Sequence, residues 1–282
     1  MNDQQVWFVT GASQGIGLVL VKRLLAEGYK VAATTRKINE LKENVGDLPG
    51  FLPLEVDLAS EQSVTEAISR TVEKFGRLDA VVNNAGFGML GALEELSLKE
   101  IKTEFEVNVF ATINVIRQAL PQLRRQGSGH IMNVTSIAGW KGDSGASVYN
   151  SSKYAIEGLS DALAGELLPL GIKVTAIAPG PFRTNFLGKG SVHYADPAIA
   201  DYEHIHQHKQ WLDENQHGKQ LGDPKKAPDI FIKVFNTDQP PVHVLMGSDA
   251  VRIVNSQLQR LQDEISAWEA ISVSTDFKEN RS

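Results

Sequence analysis

The chain has 282 residues, with 28 Lys and Arg against 34 Asp and Glu, giving a net charge of −6. A composition 42% hydrophobic and 22% charged, with no dense basic stripe, describes a folded globular chain that does not bind nucleic acid or an anionic lipid surface. The chain has no cysteines, which excludes disulfides, thiolate metal sites and a cysteine nucleophile, and no apolar run reaches the roughly 18 residues that span a bilayer.

The missing cysteines suit a reducing cytosol, and a strand-like run begins by Val6, too early for a cleavable signal peptide. A cytoplasmic location is therefore expected. Strands are expected at Val6–Thr10, Lys30–Thr34, Phe51–Val56, Leu78–Asn83, His130–Val134 and Lys173–Ala178. These runs are rich in β-branched residues and lack polar alternation, as strands covered on both faces do. Helical spacing marks Ile16–Glu27, Glu61–Phe75, Leu98–Arg125 and Tyr149–Leu168 between them, and Gly28 closes the first helix as a left-handed stop. Strand–helix–strand repetition at this rhythm requires right-handed crossovers. The predicted fold is α/β, a Rossmann-like doubly wound parallel sheet in a single domain spanning residues 1–282.

The rhythm breaks after Gly180. Residues 181–222 are polar and read as a substrate-covering insertion over the sheet. Regular signals resume with a helix over Asp223–Asn236, a strand over Val242–Met246 and a helix over Asp249–Ile271. The polar Ser272–Ser282 reads as a flexible tail.

Directly after the first strand comes Thr10-Gly11-Ala12-Ser13-Gln14-Gly15-Ile16-Gly17, opening the first helix. A dinucleotide pyrophosphate needs backbone N–H donors at a helix N-terminus with no side chains in the way. Gly11 permits the tight turn, Gly15 admits the phosphate and Gly17 lets the helix pack on the strand. About 20 residues further on, NAD-binding chains place a carboxylate against the adenosine ribose. Here the second strand ends Thr34-Thr35-Arg36-Lys37, with two cations and no acid. Arg36 fits a 2′-phosphate, so NADP(H) is the preferred cofactor and NAD(H) the alternative.

Four polar residues form the candidate catalytic set. Tyr149 and Lys153 are four apart in a helix-forming run and share one face. A tyrosine is a poor base at neutral pH, and a neighbouring ammonium is expected to lower its pKa. Ser136 follows the fifth strand, and Asn108 sits in the apolar run Val107-Asn108-Val109. Taken singly, each has an ordinary account as a core, cap or surface residue.

Together these motifs resemble the short-chain dehydrogenase/reductase family. The resemblance runs from about residue 4 to 185. It is carried by Thr10-Gly-x-x-x-Gly-Ile-Gly17, Asp57, Asn83-Asn84-Ala85-Gly86, Asn108, Ser136, Tyr149-x-x-x-Lys153 and Pro179-Gly180. It implies that Asn83 steadies the central strands, that Asp57 contacts adenine and that Ala85 and Gly86 pass beneath the adenosine. It further implies that Thr184 touches the nicotinamide amide, with Leu58, Asn84, Pro179 and Gly180 completing the cofactor contacts. Thr135 stands where a serine often precedes the catalytic one.

Resemblance and chemistry agree on hydride transfer between nicotinamide and an alcohol or ketone. Ser136 would polarise the carbonyl, Tyr149 would move the proton, Lys153 would bond the nicotinamide ribose and Asn108 would hold a relay water. Substrate choice falls to residues 87–95, 138–148 and 181–222. There Phe87, Met89, Leu90, Trp140, Phe186 and Leu187 predict an apolar, roomy cavity for a bulky steroid- or retinol-like substrate. The stretch Pro240–Ala250 also resembles hydroxysteroid- and retinol-type members. His204 and His208 share a helical face without a third ligand, so no metal is expected. The helices from Leu98 and Tyr149 pair across two-fold axes in this family, implying a homodimer or homotetramer, although their apolar faces equally suit sheet-facing core. Two rival functions are a non-catalytic dinucleotide sensor and a sugar-nucleotide epimerase. The first should lose the Ser/Tyr/Lys set, and the second carries a tighter glycine loop and a larger C-terminal domain.

Overall fold

The computed structural model describes residues 5–187, 191–196, 199–207 and 218–277. Along the chain, the strands are β1 (Val6–Val9), β2 (Lys30–Thr35), β3 (Phe51–Glu55), β4 (Ala80–Asn83), β5 (Gly88–Leu90), β6 (Gly129–Val134), β7 (Ile172–Pro179), β8 (Val192–Tyr194) and β9 (His243–Met246). Seven of them form one parallel sheet in the order β3-β2-β1-β4-β6-β7-β9. Strand order reverses between β1 and β4, which opens a crevice beyond their C-terminal ends where α/β sheets bind ligands.

The burial of β1 explains the layers. All four of its side chains are fully buried, and Trp7, Phe8 and Val9 alternate between two cores. Trp7 and Val9 pack with Leu20, Leu24 and Phe231 on one face; Phe8 packs with Ile68, Val115 and Leu123 on the other. Helices α1 (Gly15–Ala26) and α2 (Ile38–Val45) lie on the first side, while α3 (Glu61–Phe75) and α5 (Ala111–Gln126) cover the second. Further helices are α4 (Leu98–Phe105), α6 (Ser147–Leu167), α7 (Ala227–Phe235) and α8 (Ser248–Ser272). Sequence periodicity did not mark α2. It buries Leu41 and Val45 on the sheet, a two-point stripe too short to show a period.

Two departures bear on the site. The single helix expected over Leu98–Arg125 is divided by a π-helical turn, Glu106–Phe110, and Asn108 sits inside it. Such a bulge often accompanies a functional site, because it re-aims a side chain out of the regular ladder. The short strands β5 and β8 pair in parallel as a separate two-stranded sheet at the mouth of the crevice, tying residues 192–194 to residues 88–90. The described part of the expected tail is helical through Thr275, and residues 278–282 lie outside the described residues.

Candidate active site

The glycine loop is held open by its own hydrogen bonds. Thr10 Oγ1 accepts the backbone N–H groups of Asn84 (3.0 Å) and Ala85 (3.1 Å), and Asn84 Nδ2 donates to the carbonyls of Thr10 and Gly11 at 3.0 Å each. Gly11 has φ +63°, and a Cβ there would come within 2.7 Å of Ala85 Cα. A Cβ on Gly17 would lie 2.5 Å from Asn84 Nδ2 and 2.6 Å from the Gly11 carbonyl, so this glycine packs α1 onto the turn rather than onto the strand. At Gly15 (φ +57°) the nearest neighbour of a Cβ would be Thr184, 3.8 Å away. The α1 N-terminus has no side-chain cap and no acidic residue in its first turn, whereas α3 and α4 are capped by Ser60 and Ser97. Free N–H donors beside an open glycine suit a pyrophosphate.

From this loop a groove of about 2370 Å³ crosses the C-terminal ends of the strands. It is lined by Gly11, Ser13, Gln14, Gly15 and Ile16, then Arg36, Asp57 and Leu58, then Asn84, Ala85 and Gly86. Ser136, Tyr149, Lys153, Pro179, Gly180 and Thr184 line its other end. The structure thus brings together every expected site residue except Gly17 and Asn108, which stand behind the lining. Asn83 does bridge the central strands, donating through Nδ2 to Asn133 Oδ1 at 2.8 Å. Gly180 admits the Asp249 carboxylate, whose Oδ1 would lie 2.5 Å from a Cβ at that position.

Tyr149 and Lys153 occupy the first turns of α6 and face the groove. Gly88 leaves room for the phenol ring, whose Cδ2 would be 3.4 Å from a Cβ there. Lys153 Nζ donates to the Val134 carbonyl at 3.2 Å and lies 5.7 Å from the Tyr149 ring centre. Ser136 Oγ caps the short turn Ile137–Gly139 by accepting the Ala138 N–H at 3.1 Å. Neighbouring Thr135 points the other way, donating to Glu157 Oε1 at 2.5 Å.

The expected lowering of the Tyr149 pKa is not what the structure shows. Burial pushes the phenol up to about 12; a hydrogen bond with Ser136 opposes this, and the nearby Glu104 carboxylate adds to it. Burial also draws Lys153 down to about 8, against the upward pull of Glu104 and Glu157. The sequence places an amine one helical turn from the phenol, but burial dominates both groups, and the influences on the phenol are Ser136 and Glu104 rather than Lys153.

Asn108 is a clamp. Its Oδ1 accepts the Phe87 N–H at 3.0 Å, while Nδ2 donates to the Phe87 carbonyl (2.8 Å), Ser152 Oγ (3.0 Å) and Glu104 Oε1 (3.3 Å). Its amide nitrogen is therefore taken up by protein groups.

The pocket expected beyond Tyr149 is partly as foreseen. Phe87, Met89, Leu90 and Phe186 line the groove, and the Phe186 and Tyr149 rings lie 6.1 Å apart. Trp140 turns away: its Nε1 donates to Glu157 Oε1 at 3.0 Å and its ring meets His243 edge-on. The Leu187 side chain and His208 lie outside the described residues. Sequence reasoning passed over Glu95. Its side chain is buried and accepts the Ile199 N–H (2.6 Å), the Ala92 N–H (3.0 Å) and His206 Nε2 (2.7 Å). It therefore fastens residues 199–207 across the groove mouth. Among the described residues no cluster of three potential metal ligands occurs, and no helix is long and apolar enough to cross a membrane.

A short chain dehydrogenase family profile matches residues 5–193. The chain belongs to the short-chain dehydrogenase/reductase family. It is an NAD(P)-dependent oxidoreductase, and it is 32% identical to the Botryotinia fuckeliana oxidoreductase BOA17 over 96% of this chain and 99% of that one. Human 17-beta-hydroxysteroid dehydrogenase type 1 is 33% identical, with 83% of this chain and 75% of that protein covered. Among solved structures, a short-chain dehydrogenase from Streptomyces avermitilis superposes with a TM-score of 0.89 at 34% identity, covering 97% and 99% of the two chains. ElxO with NADP bound superposes with a TM-score of 0.71 at 25% identity, covering 86% of this chain and 96% of that one. The dehydrogenase therefore takes a nicotinamide dinucleotide, and the Gly11–Gly17 loop has the donors and the open space such a ligand needs.

Proposed function

We propose that this dehydrogenase is an NADP-preferring reductase of bulky hydrophobic ketones, interconverting them with the corresponding alcohols. The observation that carries the reading is the convergence of Ser136, Tyr149 and Lys153 on one end of a groove whose other end is the uncapped N-terminus of α1. The dinucleotide, when bound, supplies the hydride acceptor or donor at its nicotinamide ring.

The chain's own residues then have distinct tasks. Gly11, Ser13, Gln14, Gly15, Ile16 and Gly17 form the pyrophosphate cradle, and Asp57, Leu58, Asn84, Ala85 and Gly86 flank the adenosine half. Lys153, Pro179, Gly180 and Thr184 hold the nicotinamide half. Ser136 polarises the substrate oxygen through its hydroxyl. Tyr149 donates the proton from its own hydroxyl in carbonyl reduction and takes it back in alcohol oxidation. Asn108 acts as a positioning residue by fixing Phe87 and Ser152.

Preference for NADP rests on Arg36, an exposed groove residue at the end of β2. Among the described residues Arg36 forms no ion pair, while Lys37 is partnered by Glu40 at 3.5 Å. The substrate reading rests on Phe87, Met89, Leu90 and Phe186 and on the likeness to a hydroxysteroid dehydrogenase. Residues 181–222 act as the substrate cover, fastened by Glu95 and by the β5–β8 pair. A cytoplasmic location is consistent with the lack of cysteine.

Self-association is best supported at α8. The apolar faces of α5 and α6 are buried in the core through Val115, Ile116, Leu123 and Leu167, leaving Phe110, Tyr154 and Leu168 exposed on that side. On α8, Val254, Leu258, Leu261, Ile265 and Trp268 follow the 4-3 spacing of a helix-pairing seam, and all but Val254 are exposed. A second copy of α8 presents the matching seam, so a homodimer or a homotetramer built from such pairs follows. A panel of ketones and alcohols assayed with NADPH and NADH tests the main reading. It predicts turnover of bulky apolar ketones with NADPH, and no turnover of any of them would overturn it.

A further inference from the structure

Behind the Tyr149–Lys153 pair lies a carboxyl to which the reading above gives no task. Glu104 is in the last turn of α4, four residues before Asn108, and is 0% exposed. Its Oε2 accepts the Met89 N–H at 3.2 Å and its Oε1 accepts Asn108 Nδ2 at 3.3 Å. Asn108 in turn reaches Ser152 Oγ, next in sequence to Lys153. Asn108 Oδ1 and Lys153 Nζ approach the same side of Gly86, 3.1 and 3.4 Å from where a Cβ would stand. One amide thus joins the carboxyl to the surroundings of the ammonium. Burying a carboxyl on neutral donors is costly unless a positive charge compensates, and an apolar side chain would fill the same space without that cost.

We propose that Glu104 is a positioning residue whose carboxylate is the buried counter-charge of Lys153, and that it sets the pH range over which the Tyr149–Lys153 pair exchanges protons. The inference rests on the assignment of Tyr149 and Lys153 as the reacting pair. The titratable groups facing Glu104 come from α6: Lys153 and Tyr149, with Glu157 acting on Lys153. The β5 side contributes the Met89 amide, and the π turn contributes the Asn108 amide, with Glu106 exposed and lining the groove. Burial raises Glu104 to about 7, opposed by the Met89 N–H, by Lys153 and by Ser152. Its negative charge raises both Lys153 and Tyr149, so removing it moves both in the same direction.

Glu104→Gln keeps the shape and an acceptor for the Met89 N–H while deleting the charge. The limb of the kcat/KM profile that belongs to the Tyr149–Lys153 pair should move about one pH unit toward acid. The Lys153 Cε resonance, followed by carbon-13 NMR, should titrate at correspondingly lower pH in the variant. A role in packing alone would lower the rate at every pH and leave both the limb and the resonance where they are, and that result overturns the proposal. In the unsubstituted protein, carbon-13-labelled glutamate should show a carboxyl titrating well above the ordinary carboxylate range. A Glu104 carboxyl that instead stays protonated throughout the active pH range carries no counter-charge and overturns the proposal, even if the variant does not fold. Tyr149→Phe separates the two readings. Full activity in that variant would remove the catalytic assignment and with it this inference. An inactive Tyr149→Phe beside an unmoved Glu104→Gln profile would remove the counter-charge role alone.

Discussion

Lys153 Nζ is tethered to the Val134 carbonyl at 3.2 Å, at the C-terminal end of β6, and lies 5.7 Å from the centre of the Tyr149 ring. The ammonium is thus positioned by the sheet edge as much as by its own helix. Ser136 lies two residues beyond Val134, so a single strand end places both the ammonium and the serine hydroxyl. Registration of β6 between β4 and β7 is therefore a precondition of the site.

On the proposed reading, Arg36 is the cation that would meet a 2′-phosphate. Arg36→Ala should weaken NADPH binding about 10- to 100-fold, the loss expected of a charge-assisted hydrogen bond, and leave NADH binding nearly unchanged. Isothermal titration with each dinucleotide checks this, and equal losses for both would remove the preference argument.

His130 is 2% exposed, with Nε2 2.9 Å from Thr175 Oγ1 and its ring stacked on Phe235. Burial, with a contribution from Lys173, depresses its pKa from 6.5 to about 3. The unfolded chain therefore takes up a proton as pH falls below 6.5, which the folded chain refuses until about 3. Stability is present above 6.5 and is lost through that window by about 1.4 kcal/mol per pH unit. Thermal unfolding of His130→Gln beside the unsubstituted protein should show a gap that narrows as pH falls from 6.5 toward 4. A gap independent of pH would mean that His130 carries its proton when folded.

The α8 seam predicts a concentration-dependent dimer. Replacing Leu261 and Ile265 together by Glu places two charges in a seam that must desolvate, and sedimentation should then report monomer, with the monomer's fold retained by circular dichroism. An unchanged sedimentation coefficient in the double variant would move the interface elsewhere.

Much of this architecture was legible in the residues. Strands covered on both faces read as unbroken apolar runs, and Gly11, Gly15 and Gly17 mark the one turn where side chains would obstruct. Four features escaped for physical reasons. Strands β5 and β8 have three residues each and pair across about a hundred positions, so no local period announces them. Glu95 and Glu104 sit in segments whose other acids face solvent, and only the packed structure shows these two turned inward. Trp140 was expected in the pocket, but its indole N–H needs an acceptor, and Glu157 lies on the other side. The Tyr149 pKa was misjudged because a spacing of four reveals the amine but not the depth at which both groups are buried.

The most direct measurement is hydride transfer itself, followed by the absorbance of the reduced nicotinamide, in Tyr149→Phe and in the unsubstituted enzyme. With dinucleotide binding retained, kcat should fall about 100- to 10,000-fold, the contribution of a positioned proton donor. A folded, cofactor-binding Tyr149→Phe enzyme that turns over at the original rate would contradict the account at its centre.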